Sequence, residues 1–501
     1  MSDFDPTETT IAEVHAAMAD GRTSAAALVD WYRARIATHD ETINAILTLN
    51  DDAPARARKL DAAFETDGPV GLLHGIPLLL KDNHNTHDLP TTAGAAALAE
   101  SRPDHDAFVV AQLRAAGAII LGKTNLQELS FGVDTISSLG GPTRNPYDLD
   151  RRPSGSSGGT AAAVAANLAV AGTGSDTCSS VRSPPAFTGC VGIRPTRGLV
   201  SRTGIVPLSS TQDTAGPIAR TVADAARLLE VMAGYDPNDP VTARSVGQVP
   251  AEGYAAGLDT VKETLADARL GVVRSAFGLQ DPDSATAAEA AVVTEVIEAA
   301  LAELAEAGAT LVDPVEVAEP DRLESARVLE YEFARDLDAY LATLDDPPHD
   351  SLADIYETGT IAPSVAERIE AADILTVDVD ELETDVGYLR RLHRREQLRE
   401  EVLAALADEE LDALVYPPST IPPVEIPAHQ PFVELNCGLA AHTGLPSIVV
   451  PAGVTDDGLP VGIELLGRAF AERHLCELAV AIEQVGDHRQ PPDGFGPVDP
   501  A

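Results

Sequence analysis

From about residue 70 to 235, short apolar runs alternate with helical stretches, and this alternation constrains the fold more than any other feature. The apolar run 76–80 is followed by 108–116, then 118–121, then the alanine-rich 160–168. Apolar runs of this length bounded by turn signals read as buried strands, and strands alternating with helices imply helices layered on a sheet. The pattern resumes later. Residues 270–274 read as a strand, 283–307 as a strong alanine–glutamate helix, and 413–416, 447–450 and 462–466 as further strands. Residues 8–65 read as helical, with Leu28, Trp31, Tyr32 and Ile36 on one face. Residues 320–410 are acidic and mostly helical, and read as a cap over one sheet edge. No internal repeat and no linker-like segment is visible. The expectation is one domain over 1–501, with an N-terminal helical segment at 1–65 and a helical, cap-like insertion at 320–410.

Charge narrows the partners. The chain carries 79 acidic and 35 basic residues, a formal charge of -44, while 44% apolar residues still suffice for a large core. Acid spread over the whole length, with few lysines, is the pattern of proteins from salt-saturated cytoplasm, where dense salt screens surface repulsion. The expectation is therefore a halophilic, cytoplasmic protein. No basic stripe is present, which argues against nucleic acid and against an anionic membrane. The start, Met1-Ser2-Asp3-Phe4-Asp5, lacks the features of a signal peptide, and the uncharged stretch 153–175 reads as a buried helix–strand pair rather than a membrane span. Cys178, Cys190, Cys437 and Cys476 form no CxxC or zinc spacing and are expected to be reduced. His74, His84, His87 and His105 show no metal spacing, and neither metal nor cofactor is expected.

Only four lysines occur: Lys59, Lys81, Lys123 and Lys262. Lys81 closes the apolar run at 76–80. A lysine there is partly desolvated, so its pKa falls, which an arginine cannot imitate. Taken alone, Lys81 reads as a snorkelling surface residue. Two downstream clusters alter that balance. One is Pro153-Ser154-Gly155-Ser156-Ser157-Gly158-Gly159-Thr160; the other runs Gly174-Ser175-Asp176-Thr177-Cys178-Ser179-Ser180-Val181-Arg182-Ser183-Pro184-Pro185. Small residues let backbone N–H groups converge on an oxyanion, and the hydroxyls among them are candidate nucleophiles. A third motif is a decoy. Gly117-Ala118-Ile119-Ile120-Leu121-Gly122-Lys123-Thr124 spells a phosphate loop, but its middle reads as a strand and cannot curl around phosphates.

Together with His74-Gly75-Ile76-Pro77, Lys81-Asp82-Asn83, Leu89-Pro90-Thr91-Thr92-Ala93-Gly94, Gly141-Pro142-Thr143-Arg144-Asn145-Pro146-Tyr147, Gly216-Pro217-Ile218-Ala219-Arg220-Thr221 and Gly458-Leu459-Pro460-Val461-Gly462, these clusters resemble the amidase signature family. The resemblance covers most of the chain. It implies an α/β fold with a large mixed, mostly parallel central sheet wrapped by helices. By position, Lys81 matches the family's lysine, Ser156 the bridging serine on a cis peptide bond, and Ser180 the nucleophile. Neutral Lys81 would take a proton from Ser156, and Ser156 from Ser180, so that Ser180 attacks an amide carbonyl and water later hydrolyses the acyl-enzyme. Backbone N–H groups of Thr177, Cys178, Ser179 and Ser180 would form the oxyanion hole. Here the chain departs from the family's Thr-Gly-Gly-Ser. If Ser179 needs a positive φ, its side chain costs energy and tilts the donor away. Ser154 also replaces a common glycine, expected to matter less. Asp176 and Arg182 resemble residues that hold the nucleophile loop, and Asp213 one near the site.

The resemblance implies an amidase that hydrolyses a linear carboxylic amide, a small molecule, through an acyl-serine, with no cofactor; a homodimer is left open. One alternative is the glutaminase component of a tRNA-dependent amidotransferase, which passes ammonia to a partner chain, although Asn125-Leu126-Gln127-Glu128-Leu129-Ser130-Phe131 looks more like stand-alone amidases. The other is a catalytically impaired, amidase-like binding protein, motivated by Cys178-Ser179.

Overall fold

The apolar runs become strands of one large sheet. In the computed structural model, which describes residues 4–258, 265–279, 284–318, 320–486 and 488–496, the strands are β1 (Ile46–Leu49), β2 (Pro77–Lys81), β3 (Ile119–Thr124), β4 (Ile136–Ser137), β5 (Gly141–Pro142), β6 (Ala171–Asp176), β7 (Val191–Arg194), β8 (Thr214–Ala219), β9 (Arg269–Val272), β10 (Thr310–Val312), β11 (Ala413–Tyr416), β12 (Ser447–Val454) and β13 (Pro460–Leu466). β4 and β5 pair with each other. The other eleven form a mixed sheet in the order β1-β3-β2-β6-β8-β7-β12-β13-β11-β9-β10. Parallel pairing joins β3–β2–β6 at one side and β11–β9–β10 at the other, and antiparallel strands connect the two blocks. Helices wrap the sheet, and the main apolar core spreads along it from Ile11 to Phe495.

The expected strands at 76–80, 118–121, 270–274, 413–416, 447–450 and 462–466 are all present, and 108–116 and 160–168 supply the helices Phe108–Ala115 and Gly158–Ala165. The alanine–glutamate helix runs Ala287–Glu306; residue 283, where it was expected to begin, lies outside the described residues, as do Met1, Ser2, Asp3 and Lys262. The phosphate-loop spelling ends in β3, and Lys123 is buried there beside Asp82, Nζ to carboxylate 2.9 Å. No described helix is long and apolar enough to cross a membrane.

Two differences have clear causes. Residues 8–65 are not helical throughout. The helix Ala25–Ile43 stops at Asn44, which is left-handed (φ 58°), and the chain then forms β1 against β3. Asparagine tolerates that conformation better than most residues, so it ends helices. β6, Ala-Gly-Thr-Gly-Ser-Asp, carries almost no β-forming side chains. It is a strand because neighbours press on it from both faces. A Cβ on Gly172 would lie 2.6 Å from the Leu79 carbonyl oxygen, and one on Gly174 would lie 2.7 Å from Ser157 Oγ. Glycine is what permits this approach.

The helices of 320–410 include Leu329–Leu341 and Val386–Asp408. They pack over loops rather than along a sheet edge. Phe333, Leu337, Leu352 and Ile374 share a small core with Ala93, Leu129, Phe131 and Leu208. Their position over these loops brings the segment next to the site.

Candidate functional site

β2 and β6 run parallel side by side, with Leu80 opposite Thr173, so Lys81, Ser175 and Asp176 gather at their carboxyl ends. Lys81 is fully buried. Its Nζ donates to Ser156 Oγ at 2.7 Å, to Ser175 Oγ at 2.9 Å and to the Ser175 carbonyl at 3.3 Å. Burial pushes the ammonium down to about 7 from its ordinary 10.5, against the opposing pull of Asp176 and Asp213. An amine in this state gives up and takes back a proton near neutral pH.

Ser156 is also buried, follows a cis peptide bond after Gly155, and precedes the helix Gly158–Ala165. Its carbonyl accepts from the Gln127 N–H at 3.0 Å. The neighbouring Ser154 is left-handed (φ 62°). The family's glycine is therefore missed here, where the backbone favours one. Cys178 and Ser179 do not have positive φ. The expected conformational cost at Ser179 is absent and falls on Ser154 instead.

The nucleophile loop leaves β6 at Thr177 and enters the short helix Ser183–Phe187. Asp176 anchors it. Its carboxylate receives the Val181 N–H at 3.0 Å, Arg182 Nε at 3.2 Å and Arg194 Nη1 at 2.5 Å, all fully buried. Burial alone would raise this carboxyl, but Arg182 and Arg194 carry it below its ordinary range. Arg182 also pairs with Glu464 at 2.7 Å and donates to the Cys437 carbonyl. Asp213 binds the loop from another side, accepting from Thr177 Oγ1 at 2.6 Å and from the N–H groups of Leu208 and Ser209. Burial pushes its carboxyl up to about 6.

Ser180, Thr177, Cys178 and Ser179 line a cavity of about 490 Å³ that Lys81 and Ser156 do not touch. Among the described residues, the backbone N–H groups of Thr177, Cys178, Ser179 and Ser180 donate to no protein acceptor. Four unspent donors beside a cavity form a charge-stabilising cradle. Ser180 Oγ is not hydrogen-bonded to Ser156, so the structure joins Lys81 to Ser156 and brings Ser180 to the cavity, with the last contact unmade. Apolar side chains, including Phe131, Val133, Leu208, Leu323, Phe432 and Leu439, form most of the wall. The Arg327 guanidinium lies 5.0 Å from the Phe432 ring centre.

Several features here were not anticipated. The expectation of four reduced cysteines is overturned: Cys178 and Cys437 form a disulfide, Cα–Cα 5.0 Å apart, while Cys190 and Cys476 are free and buried. The cysteines are separated by 259 positions, and no spacing rule links them. Ser175 and Asn83 belong to the lysine's surroundings, with Asn83 Nδ2 donating to Ser175 Oγ at 2.9 Å. Both sit inside quoted motifs, which was the available signal. Gln212 bridges the loop and the insertion. Its Nε2 donates to the Thr177 carbonyl at 2.5 Å, and its Oε1 receives Arg395 from the helix Val386–Asp408. Away from the site, His87, Asp88 and Asp106 lie together, but Arg114 pairs with both carboxylates.

The amidase family model matches residues 27–476. The GatA-type component of glutamyl-tRNA(Gln) amidotransferase from Microcystis aeruginosa is 35% identical over 97% of this chain and 99% of its own. The corresponding component from Halorhodospira halophila is 36% identical over 97% and 99%. Among solved structures, the native peptide amidase of Stenotrophomonas maltophilia superposes with a TM-score of 0.85 at 39% identity, covering 97% of this chain and 98% of that one. The same amidotransferase component from Thermotoga maritima gives 0.72 at 28%, covering 97% and 96%.

Proposed function

The chain belongs to the amidase family, and from that premise we propose that it cleaves the C–N bond of a carboxylic amide through an acyl-Ser180 intermediate. The carrying observation is the buried Lys81 amine, held near pKa 7 and 2.7 Å from Ser156 Oγ, beneath a cavity lined by Ser180 and unspent N–H groups. As substrate enters, Ser180 Oγ turns toward Ser156. Its proton passes to Ser156 while that of Ser156 passes to neutral Lys81, and the alkoxide attacks the carbonyl carbon. The developing oxyanion accepts from the N–H groups between 177 and 180. Lys81 then returns its proton by the same route to the departing nitrogen, and water releases the acid.

Two finer readings differ in where the nitrogen goes. The curated relatives weigh toward an amidotransferase component that hands ammonia to a partner chain, and away from the stand-alone amidase expected from the sequence. The higher identity and TM-score of the peptide amidase weigh toward free hydrolysis. The cavity also favours the latter, since about 490 Å³ of mostly apolar wall exceeds what a glutamine side chain fills. The binding-protein reading loses its main motive, because the backbone at Cys178 and Ser179 does not require glycine.

Ammonia release from glutamine and from a panel of peptide amides, in molar salt, with and without the partner chains of an amidotransferase, separates the two. Turnover of glutamine only in the presence of partners supports the amidotransferase reading. Turnover of peptide amides by the chain alone supports the amidase. Failure of Ser180 to react with a fluorophosphonate, in protein shown to be folded, refutes acyl-serine chemistry in either form.

A further inference from the structure

Resting on the acyl-serine reading above, we propose that the Cys178–Cys437 disulfide is a redox site and that Cys437 is a positioning residue, holding the oxyanion loop in its working form. The argument begins with what fixes each residue of that loop. The Thr177 carbonyl is held by Gln212 and its hydroxyl by Asp213. Ser179 is held through its carbonyl and its Oγ, both of which receive Ser183 Oγ, at 3.2 and 3.1 Å. Val181 is held by Asp176. Cys178 lies between these anchors, and among the described residues neither its N–H nor its carbonyl makes a hydrogen bond. Its one tether is the bond to Cys437. The family's usual residue at this position is a glycine, which could form no such link.

The other end of the bridge is part of the cavity wall. Cys437 is buried, immediately precedes the helix Gly438–Thr443, and accepts from Arg182 at its carbonyl. That helix carries His442, which also lines the cavity. The bond thus joins the donors that receive the oxyanion to the wall that faces the substrate, across 259 residues of chain. Both cysteines line the cavity, so a reductant reaches them by the path the substrate takes.

The exchange needs a dithiol. One thiolate of the dithiol attacks a protein sulfur, the Sγ–Sγ bond breaks, and a mixed disulfide forms. The second thiolate displaces the remaining protein sulfur. Two electrons and two protons arrive as two cysteine thiols, and the dithiol leaves as a cyclic disulfide. Residue 178 then loses its anchor and the adjacent N–H donors lose their aim. The loop keeps its place at Thr177 and Val181, so the change is local.

The test reads the rate at which a fluorophosphonate labels Ser180 in the full-length protein, because the probe's phosphoryl oxygen occupies the oxyanion cradle whatever the natural substrate. The protein is compared oxidised, reduced with dithiothreitol and re-oxidised, in molar salt, with Ser180→Ala as the blank and near-ultraviolet circular dichroism as the check on folding. Thiol titration of denatured protein is expected to count Cys190 and Cys476 before reduction and all four cysteines after it. The maximal labelling rate is expected to fall at least about tenfold on reduction and to return on re-oxidation, with half-saturating probe concentration little changed. Cys437→Ser should label at the slow rate and ignore the dithiol. Equal rates in both redox states, or four titratable thiols in air-oxidised protein, overturn the proposal. Loss of the folded signal on reduction overturns it too, since the bridge would then serve stability. Absence of labelling in the oxidised, folded protein overturns the acyl-serine reading beneath it.

Discussion

Replacing Lys81 tests the proton acceptor most directly. An exposed lysine at 10.5 would be neutral in about 3 molecules of 10,000 at pH 7, whereas one held at about 7 is neutral in roughly half. Burial therefore raises the supply of free base on the order of 10³-fold. The same shift has an opposite effect on stability. In the unfolded chain Lys81 is protonated below 10.5, and in the fold it remains neutral down to about 7, so the unfolded state binds the extra proton. Stability falls by about 1.4 kcal/mol for each pH step down through that window, roughly 5 kcal/mol in total, and the penalty is constant below about 7. Lys81→Met removes the penalty but leaves Ser156 Oγ and Ser175 Oγ without their donor, at about 1–2 kcal/mol each. The expected variant is inactive and about 1–3 kcal/mol more stable by urea denaturation at pH 6.5. In the wild type, the kcat/KM for ammonia release should fall tenfold for each pH step below about 7 and level off above 8. Lys81→Arg should be as inactive as Lys81→Met. An arginine variant that retains turnover, or a profile flat from pH 5.5 to 8, would refute the reasoning.

Three other perturbations follow from separate contacts. Ser183→Ala cuts a chain in which Ser154 Oγ donates to Ser183 Oγ at 3.0 Å and Ser183 donates to Ser179, linking the cis-serine loop to the nucleophile loop. It should lower kcat about tenfold with KM little changed, measured on an active amide substrate. Asp176→Asn leaves the buried Arg182 and Arg194 sharing too little negative charge, and should cost about 3–5 kcal/mol in chemical denaturation as well as activity. With a formal charge of -44, the protein is expected to melt at least about 10 °C lower in dilute buffer than in molar salt; an unchanged melting temperature by calorimetry would count against a salt-adapted surface.

What was legible in the sequence shares one property: it is local. Runs such as Pro77–Lys81 are apolar enough to need burial wherever they lie, so the strands they form followed from composition within a few residues. Lys81, Ser156 and Ser180 stood out because small residues surround them, and that is a property of neighbours along the chain. Strands without side-chain signal, such as β6, escaped because close neighbours, not their own propensity, make them strands.

Tertiary structure alone decided the rest. The sequence determined that Lys81 ends a buried strand, but only the fold set Nζ 2.7 Å from Ser156 and supplied the dry surroundings that bring its pKa to about 7. It paired Cys178 with Cys437, made Ser154 rather than Ser179 left-handed, and ran a hydrogen-bonded path from Arg395 through Gln212 to Thr177. The physical reason is that desolvation, covalent pairing and backbone conformation at a given residue are set by groups distant in sequence, and local pattern carries no record of which distant groups arrive.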